Sequence, residues 1–299
     1  MMLIPVLLQE VIAALDPKPG NFIIDGTVGE GGHAKEIIKK IEPGGILLGI
    51  DWDTSQAEQA EKNIIGVGVK VVIAHGNYKD IENIQKRYGL QRADGLLLDL
   101  GFSSRHLESG KGFSFQKDEP LDMRYSGNIV ISDITNIDEG KMTAGAALNT
   151  LSEQELADIF WKYGEERASR KIAKAIVEAR KKCRIERTSD LVRIIGEQKR
   201  GKIHPATRTF QALRIYVNKE LENLEDILKK IPAIVKPEGR VVMISFHSLE
   251  DRIIKRYFKT YEEEGIGKRI NKKVIRPSRE EIQSNPRSRS AKLRCLQIV

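Results

Sequence analysis

The chain has 299 residues, 40% hydrophobic and 31% charged, with 50 Lys and Arg against 42 Asp and Glu for a formal charge of +8. That length buries a full core in one large domain or two ordinary ones, and the basic surplus favours a polyanionic partner unless it serves solubility alone. Cys183 and Cys295 are the only cysteines and lack CxxC or Cys/His spacing, which argues against a disulfide framework or a structural metal site and for a reducing, cytoplasmic setting. The apolar N-terminus has no basic flank and is interrupted by Glu10, so it is expected to be neither a signal peptide nor a membrane span.

In chain order, Val6 to Leu15 has apolar residues at helical spacing and stops before Asp16-Pro17-Lys18-Pro19-Gly20. Phe22–Asp25 reads as a strand, followed by the glycine turn Gly26-Thr27-Val28-Gly29-Glu30-Gly31-Gly32-His33 and a helix over Ala34–Ile41. Ile46–Asp51 is a continuous apolar run of the buried parallel type that ends in acid. A polar helix to about Ile64, a strand over Val69–Ala74, a helix near Ile81–Tyr88 and a buried strand ending at Asp99 continue the alternation. Four strands alternating with helices predict a parallel sheet with right-handed crossovers.

The rhythm then breaks. Phe102 to Asn128 reads as a long loop of the kind that is usually functional. Ser152–Tyr163, Arg167–Lys181 and Ser189–Glu197 read as helices, the second rich in Lys and Arg, which suits either a polyanion or a solvated face. After His204-Pro205-Ala206-Thr207-Arg208 a helix over Phe210–Lys230 and the turn Lys236-Pro237-Glu238-Gly239 lead into a fifth strand, Arg240–Phe246. Leu249–Tyr261 is expected to be helical, and Val274–Arg276 and Lys292–Val299 are the last strand candidates. The expected organisation is α/β: a domain split between 1–105 and 206–299 around an inserted all-helical domain, 106–205.

The strand–glycine turn–helix unit is a nucleotide-binding corner, and Gly29 to Ala34 also satisfies the G-x-G-x-x-A pattern of nicotinamide dinucleotide sites. Asp25 points elsewhere. A carboxylate before the glycines attracts an ammonium or sulfonium centre and repels a pyrophosphate. Asp51, twenty residues after Gly31, can accept ribose hydroxyls in either kind of site. A Lys-Pro-Glu-Gly turn, a fifth strand, a helix and two late strands match the ending of class I S-adenosylmethionine-dependent methyltransferases, a Rossmann-like seven-stranded sheet whose last strand inserts antiparallel.

A closer likeness rests on longer motifs: Ile4-Pro5-Val6-Leu7-Leu8, Asp25 to His33, Asp99-Leu100-Gly101-Phe102-Ser103-Ser104, Gly112-Phe113-Ser114-Phe115, Pro120-Leu121-Asp122-Met123-Arg124, Tyr163 to Arg167, His204 to Arg214, Ser245 to Arg252 and Arg287 to Arg294. Together these resemble the bacterial RsmH (MraW) methyltransferases, which methylate N4 of a cytidine in small-subunit ribosomal RNA. The resemblance covers essentially the whole chain. It implies S-adenosyl-L-methionine as cofactor, held by Gly31, Gly32, His33, Asp51, Tyr78 and Asp99. It implies a further contact at His106, where the family has glutamine, and the 16S ribosomal RNA of the 30S particle as partner. Leu3 stands where the family has histidine and is assigned no role.

The exocyclic amine of cytosine is a poor nucleophile, because its lone pair is delocalised into the ring. An enzyme must hold it in line with the methyl group and accept hydrogen bonds from its protons. Asp99, closing a central strand with Ser103 and Ser104 beyond, fits that catalytic role, or else caps the strand or binds cofactor. The chain lacks the Asn/Asp/Ser-Pro-Pro-aromatic sequence of amino-directed DNA methyltransferases. Ser245 and His247 fall at the end of the fifth strand. Arg124, His204, Arg208, Arg214, Arg287 and Arg289 are candidates for RNA phosphates, and Phe113, Phe115 or Tyr125 for stacking a splayed base, with caps and salt bridges as the alternative for each. The rival classes are an NAD-dependent dehydrogenase and a non-catalytic RNA-binding protein that retains the cofactor fold. The insert could grip RNA, close over cofactor or mediate a homodimer.

Overall fold

The computed structural model describes residues 4–64, 68–101, 104–125, 142–196 and 204–299. Leu3, Ser103 and the side chain of Ser104 lie outside them. The chain divides into two compact units, the first of residues 1–101 and 221–299, the second of residues 102–220.

The first unit is built on a seven-stranded sheet: β1 (Phe22–Asp25), β2 (Ile46–Asp51), β3 (Lys70–His75), β4 (Ala93–Asp99), β5 (Val235–Ser245), β6 (Gly267–Arg269) and β7 (Lys292–Ile298). Their order is β3-β2-β1-β4-β5-β7-β6. β1 pairs in parallel with β2 and β4, β2 with β3, and β4 with β5, whereas β7 runs antiparallel between β5 and β6. Alternation along these apolar strands sends successive side chains into two cores. Ile24, Leu48, Leu96, Leu98, Val241 and Met243 enter one; Ile23, Leu47, Leu97, Val242 and Ile244 enter the other. Burying both faces explains why the strands are continuous apolar runs instead of alternating ones.

Helices α1 (Leu8–Leu15), α2 (Gly32–Ile41), α3 (Thr54–Asn63) and α4 (Ile81–Arg87) connect or flank the first four strands. α2 shows how: His33, Ala34, Ile37, Ile38 and Ile41 are buried, while Lys39 and Lys40 in its last turn face solvent and complement the helix dipole.

The second unit contains α5 (Ser104–Glu108), α6 (Ala144–Thr150), α7 (Glu153–Gly164), α8 (Ser169–Arg180), α9 (Thr188–Ile195) and α10 (Ala206–Asn218). α7 starts on a capping box in which Ser152 and Glu155 satisfy each other's backbone N–H groups. It buries Leu156, Ile159, Phe160 and Tyr163. A Cβ on Gly164 would lie 2.6 Å from the Arg208 carbonyl oxygen, so glycine permits the close approach of α7 and α10. α8 buries Ile172, Ala173 and Ile176 and turns Arg170, Lys171 and Lys174 to solvent.

The structure departs from the sequence reading at three places. The single helix expected over Phe210–Lys230 is two, α10 and α11 (Glu220–Ile234), because Lys219 adopts a left-handed φ of 50°. With that break, residues 206–220 pack in the second unit, α10 against α7, instead of joining the α/β segment. The penultimate strand is Gly267–Arg269; Val274–Arg276 contributes only an isolated bridge from Ile275 to Leu293, with Pro277 just beyond it. Lys236–Gly239, expected as a turn, bulges out of the β4–β5 ladder, whose pairing jumps from Ala93–Val235 to Gly95–Arg240. The two remaining helices of the first unit are α12 (Ser248–Glu263) and α13 (Arg279–Ser284).

Candidate active site at the carboxyl edge of the sheet

Parallel strands place their carboxyl ends on one edge, and three of them end there in an acid: Asp25 on β1, Asp51 on β2 and Asp99 on β4. Each is held differently. Asp25 is 1% exposed and accepts from the Thr27 amide (3.2 Å). Burial, then the neighbouring Asp51 charge, pushes its carboxyl up to about 7 despite the opposing Thr27 hydrogen bonds. Asp51 accepts from the Gly29 amide (2.9 Å) with one oxygen and from the Asp53 amide (2.9 Å) with the other. Those two bonds fix the orientation of the carboxylate at the end of β2.

Asp99 is tied through its backbone: its amide donates to Thr27 Oγ1 (2.7 Å), which locks the end of β4 to the glycine turn. The side chain keeps 23% of its surface exposed, yet Oδ1 itself is enclosed and has no hydrogen-bond partner among the described residues. Burial first, then the Asp25 and Glu250 charges, raises this carboxyl well above the ordinary range.

The turn between β1 and α2 requires its glycines. Gly29 and Gly31 have φ of 52° and 86°. A Cβ on Gly31 would come 2.7 Å from Ile64 Cγ1, and one on Gly32 2.8 Å from Pro5 Cγ. His33 opens α2, buried, with Nε2 2.9 Å from the Val6 carbonyl oxygen and Nδ1 3.8 Å from Asp99 Oδ2. A carbonyl only accepts, so Nε2 carries the proton; burial pulls the imidazole down to about 4, and at neutral pH the pair with Asp99 carries no histidine charge.

Tyr78 begins the 3-10 turn after β3, and its Cβ would be 3.4 Å from a Cβ on Gly26. Sequence reasoning missed its neighbour Asn77. The Asn77 Oδ1 caps that turn by accepting from the Lys79 amide (3.0 Å), while its buried Nδ2 has no partner among the described residues. The Asn-x-x-Asp pattern after a strand could have suggested the cap, and nothing in it the open donor. Thr27, which holds Asp99 in place, was likewise overlooked.

The substrate candidates separate by unit. In the first, Ser245 is buried with Oγ 3.5 Å from the Lys292 carbonyl, and His247 caps α12, Nδ1 accepting from the Glu250 amide (3.4 Å). Arg287 and Arg289 are exposed, on either side of buried Ser288. In the second, Arg124 pairs with Asp122 (2.7 Å) and Arg214 with Glu220 (2.9 Å), both largely buried. Both guanidinium groups are thus engaged in ion pairs within that unit. Phe113 and Tyr125 are buried and stacked on each other (5.5 Å between centroids), with the His106 ring tilted against both. Phe115 stacks on His204 (4.6 Å), and Arg208 Nη1 donates to the Glu165 carbonyl (3.3 Å).

The donor set tests which cofactor fits. Three carboxyl groups line the edge where a pyrophosphate would have to lie, and the enclosed acceptor Asp99 Oδ1 and the open donor Asn77 Nδ2 await polar groups of a neutral or cationic ligand. S-adenosylmethionine supplies ribose hydroxyls, an adenine edge and cationic centres, so the residues suit it. A strand order with an antiparallel β7 and acids closing β1, β2 and β4 defines a class I S-adenosylmethionine-dependent methyltransferase and excludes the dinucleotide-binding sheet of a dehydrogenase. The chain belongs to the MraW methylase family, whose model matches residues 1–299. It is 45% identical over 293 residues to the ribosomal RNA small subunit methyltransferase H of Dictyoglomus thermophilum, covering 97% of this chain and 94% of that one. The protein of the same name from Coprothermobacter proteolyticus is 46% identical over 293 residues (97% and 94% covered), and that from Thermotoga neapolitana 44% over 305 residues (99% and 96%). No described helix is long and apolar enough to cross a membrane.

Proposed function

We propose that this protein transfers a methyl group from S-adenosylmethionine to the exocyclic N4 of a cytidine in small-subunit ribosomal RNA, acting in the cytoplasm on the assembled 30S particle. The observation that carries the reading is the enclosed Asp99 Oδ1, without a partner among the described residues, at the carboxyl end of β4, on the edge that suits the cofactor. The family and the named relatives support the RNA substrate.

In this reading Gly31 and Gly32 let the backbone approach the cofactor, Asp51 accepts the ribose hydroxyls, and Tyr78 and Asn77 flank the base. Asp25 balances the cationic end. His106, which lies in the second unit, is retained on the family resemblance alone. S-adenosylmethionine held there would supply an electrophilic methyl group, with its sulfur as the leaving group that keeps the carbon–sulfur electron pair. Asp99 accepts a hydrogen bond from the amine, localising the lone pair on nitrogen, and takes the proton released when the nitrogen–carbon bond forms. A carboxylate whose proton affinity is raised by burial suits that task better than an ordinary one. His33 turns a lone pair towards Asp99 Oδ2 at 3.8 Å, so that oxygen is the one at which a proton would meet a facing acceptor. His204 and Arg208 in the second unit, and Ser245 and His247 in the first, are proposed to face the RNA.

Radiolabel transfer to small subunits that lack the modification tests this, with the labelled nucleoside identified by mass spectrometry. The expected product is N4-methylcytidine in small-subunit RNA. No transfer, or label on another base, overturns the reading.

A further inference from the structure

The basic surplus of the chain is unevenly placed. Residues 268–289 carry eight Lys and Arg against two Glu, a net of +6 within a chain whose total is +8. Lys268, Lys272, Lys273, Arg276, Arg279, Arg287 and Arg289 are all exposed, and among the described residues only Arg269 of this stretch is tied to an acid, Glu262.

The sheet shows where this charge goes. The backbone leaves the sheet at Ile275, bridged to Leu293, and returns at Lys292, paired with Ser245 at the end of β5. The whole excursion of residues 276–291 therefore lies at the carboxyl edge, with Asp25, Asp51 and Asp99.

The excursion is also fixed in place. Ser278 Oγ caps α13 by accepting from the Glu281 amide (3.1 Å). Glu281 Oε1 accepts from the Leu7 amide (2.7 Å), and Asn285 Nδ2 donates to the Ile4 carbonyl (3.1 Å). Asn285 and Ser288 are buried. The strap they grip, Ile4–Leu7, is the one whose Val6 carbonyl accepts from His33 and whose Pro5 lies against Gly32. Both acids of the excursion sit on α13, and Glu281 is spent on the strap. Arg276, Arg279, Arg287 and Arg289 form no salt bridge or hydrogen bond to any described residue. Four guanidinium groups on an anchored backbone, beside a site whose own acids repel polyanions, form a surface complementary to phosphodiesters.

We propose that residues 276–291 are a phosphate-binding platform for the single-stranded RNA that flanks the target nucleotide, with Arg276, Arg279, Arg287 and Arg289 holding phosphates while the base enters the acidic edge. The platform rests on RNA being the substrate, but its test reads binding, so the two can fail separately.

The experiment measures fluorescence-anisotropy binding of a short labelled single-stranded RNA across a salt series. It uses the full-length protein, the variant R276A/R279A/R287A/R289A, and its Lys counterpart. Each lost phosphate contact lowers the log–log salt slope by about 0.7, so the Ala variant is expected to lose about 3 while the Lys variant keeps most of the slope. On small subunits the Ala variant raises KM several-fold at unchanged kcat, and calorimetric S-adenosylmethionine affinity stays at the parent value, which verifies that the fold is intact. K39A/K40A at the far end of α2 serves as the comparison and leaves the slope unchanged. An Ala variant with parental slope and KM overturns the platform. So does an equal loss in K39A/K40A, which would mean diffuse charge. If the parent methylates nothing yet the slope falls as stated, the platform stands and the methyl-transfer reading fails.

Discussion

His33 Nδ1 and Asp99 Oδ2 face each other at 3.8 Å, and the histidine proton is on the far nitrogen, committed to the Val6 carbonyl. Two acceptors are thus opposed while the carboxyl is ionised, and uptake of a proton by Asp99, which burial and the Asp25 and Glu250 charges favour, relieves that opposition. Asp99→Asn is nearly isosteric but cannot take a proton. It is expected to lower kcat by about 10²-fold or more, the ordinary contribution of a positioned base, with S-adenosylmethionine affinity little changed. Single-turnover transfer to small subunits and calorimetric cofactor binding check both halves. A kcat within a few-fold of the parent removes Asp99 from the proton transfer.

Asp25 gives a stability prediction with a definite sign. Its carboxyl is raised from 3.8 to about 7, so the folded state binds the extra proton. The stability from that protonation is fully present below about pH 4 and is lost as pH rises through about 7. Asp25→Asn keeps an acceptor for the Thr27 amide and cannot ionise. The variant is expected to melt above the parent at pH 8, by a margin that shrinks towards pH 5. Thermal midpoints of the cofactor-free proteins across that range decide it; a constant offset would contradict the assignment.

His33 works in the opposite direction. Its folded pKa is lowered from 6.5 to about 4, so the unfolded chain takes up the proton first, and stability falls as pH drops from about 6.5 to about 4. His33→Gln retains an N–H donor for the Val6 carbonyl without that titration. The expected outcome is a shallower loss of stability over this window than the parent shows, read from urea midpoints at several pH values.

Gly31 is needed for both its conformation and its lack of a Cβ. Alanine there would hold φ near 86° and place Cβ 2.7 Å from Ile64 Cγ1. Left-handed strain and overpacking together are expected to cost about 2–4 kcal/mol. The variant should also bind S-adenosylmethionine more weakly than the loss of stability alone explains, because the turn is part of the cofactor site. Denaturant unfolding and calorimetry measure the two effects independently.

The α/β frame was legible because buried parallel strands announce themselves as apolar runs closed by acids, and because a glycine turn with an acid ahead of it narrows the choice of ligand. The late strand was not. Gly267-Lys268-Arg269 has no apolar pattern and pairs only because β7 offers it an edge, whereas Val274-Ile275-Arg276 has the pattern and is stopped by Pro277. The break at Lys219 depends on a left-handed residue that is not glycine, for which no local sequence signal exists. At the site, the acids could be named from strand ends. The tautomer of His33 and the hold of Thr27 on Asp99 depend on contacts between residues 27 and 72 positions apart in sequence. The same limit explains the aromatic candidates: Phe113 and Tyr125 look available for stacking until packing shows that they stack on each other.

Arg214 separates structural charge from RNA-binding charge. It donates from Nε and Nη2 to the two oxygens of Glu220, at 2.9 and 3.0 Å, and the Tyr125 hydroxyl donates to the same carboxylate at 2.9 Å. All three side chains are buried. Removing the guanidinium leaves an uncompensated buried carboxylate, and Arg214→Ala is expected to destabilise the protein by about 3–5 kcal/mol. Replacing both partners, as in Arg214→Met with Glu220→Gln, removes the stranded charge and is expected to recover much of that loss. Because Arg214 faces Glu220 and not solvent, the salt slope of RNA binding in the double variant should match the parent. Urea unfolding of the single and double variants, together with the anisotropy salt series on the double, tests the assignment. A reduced slope in the stable double variant would return Arg214 to the RNA-contacting set.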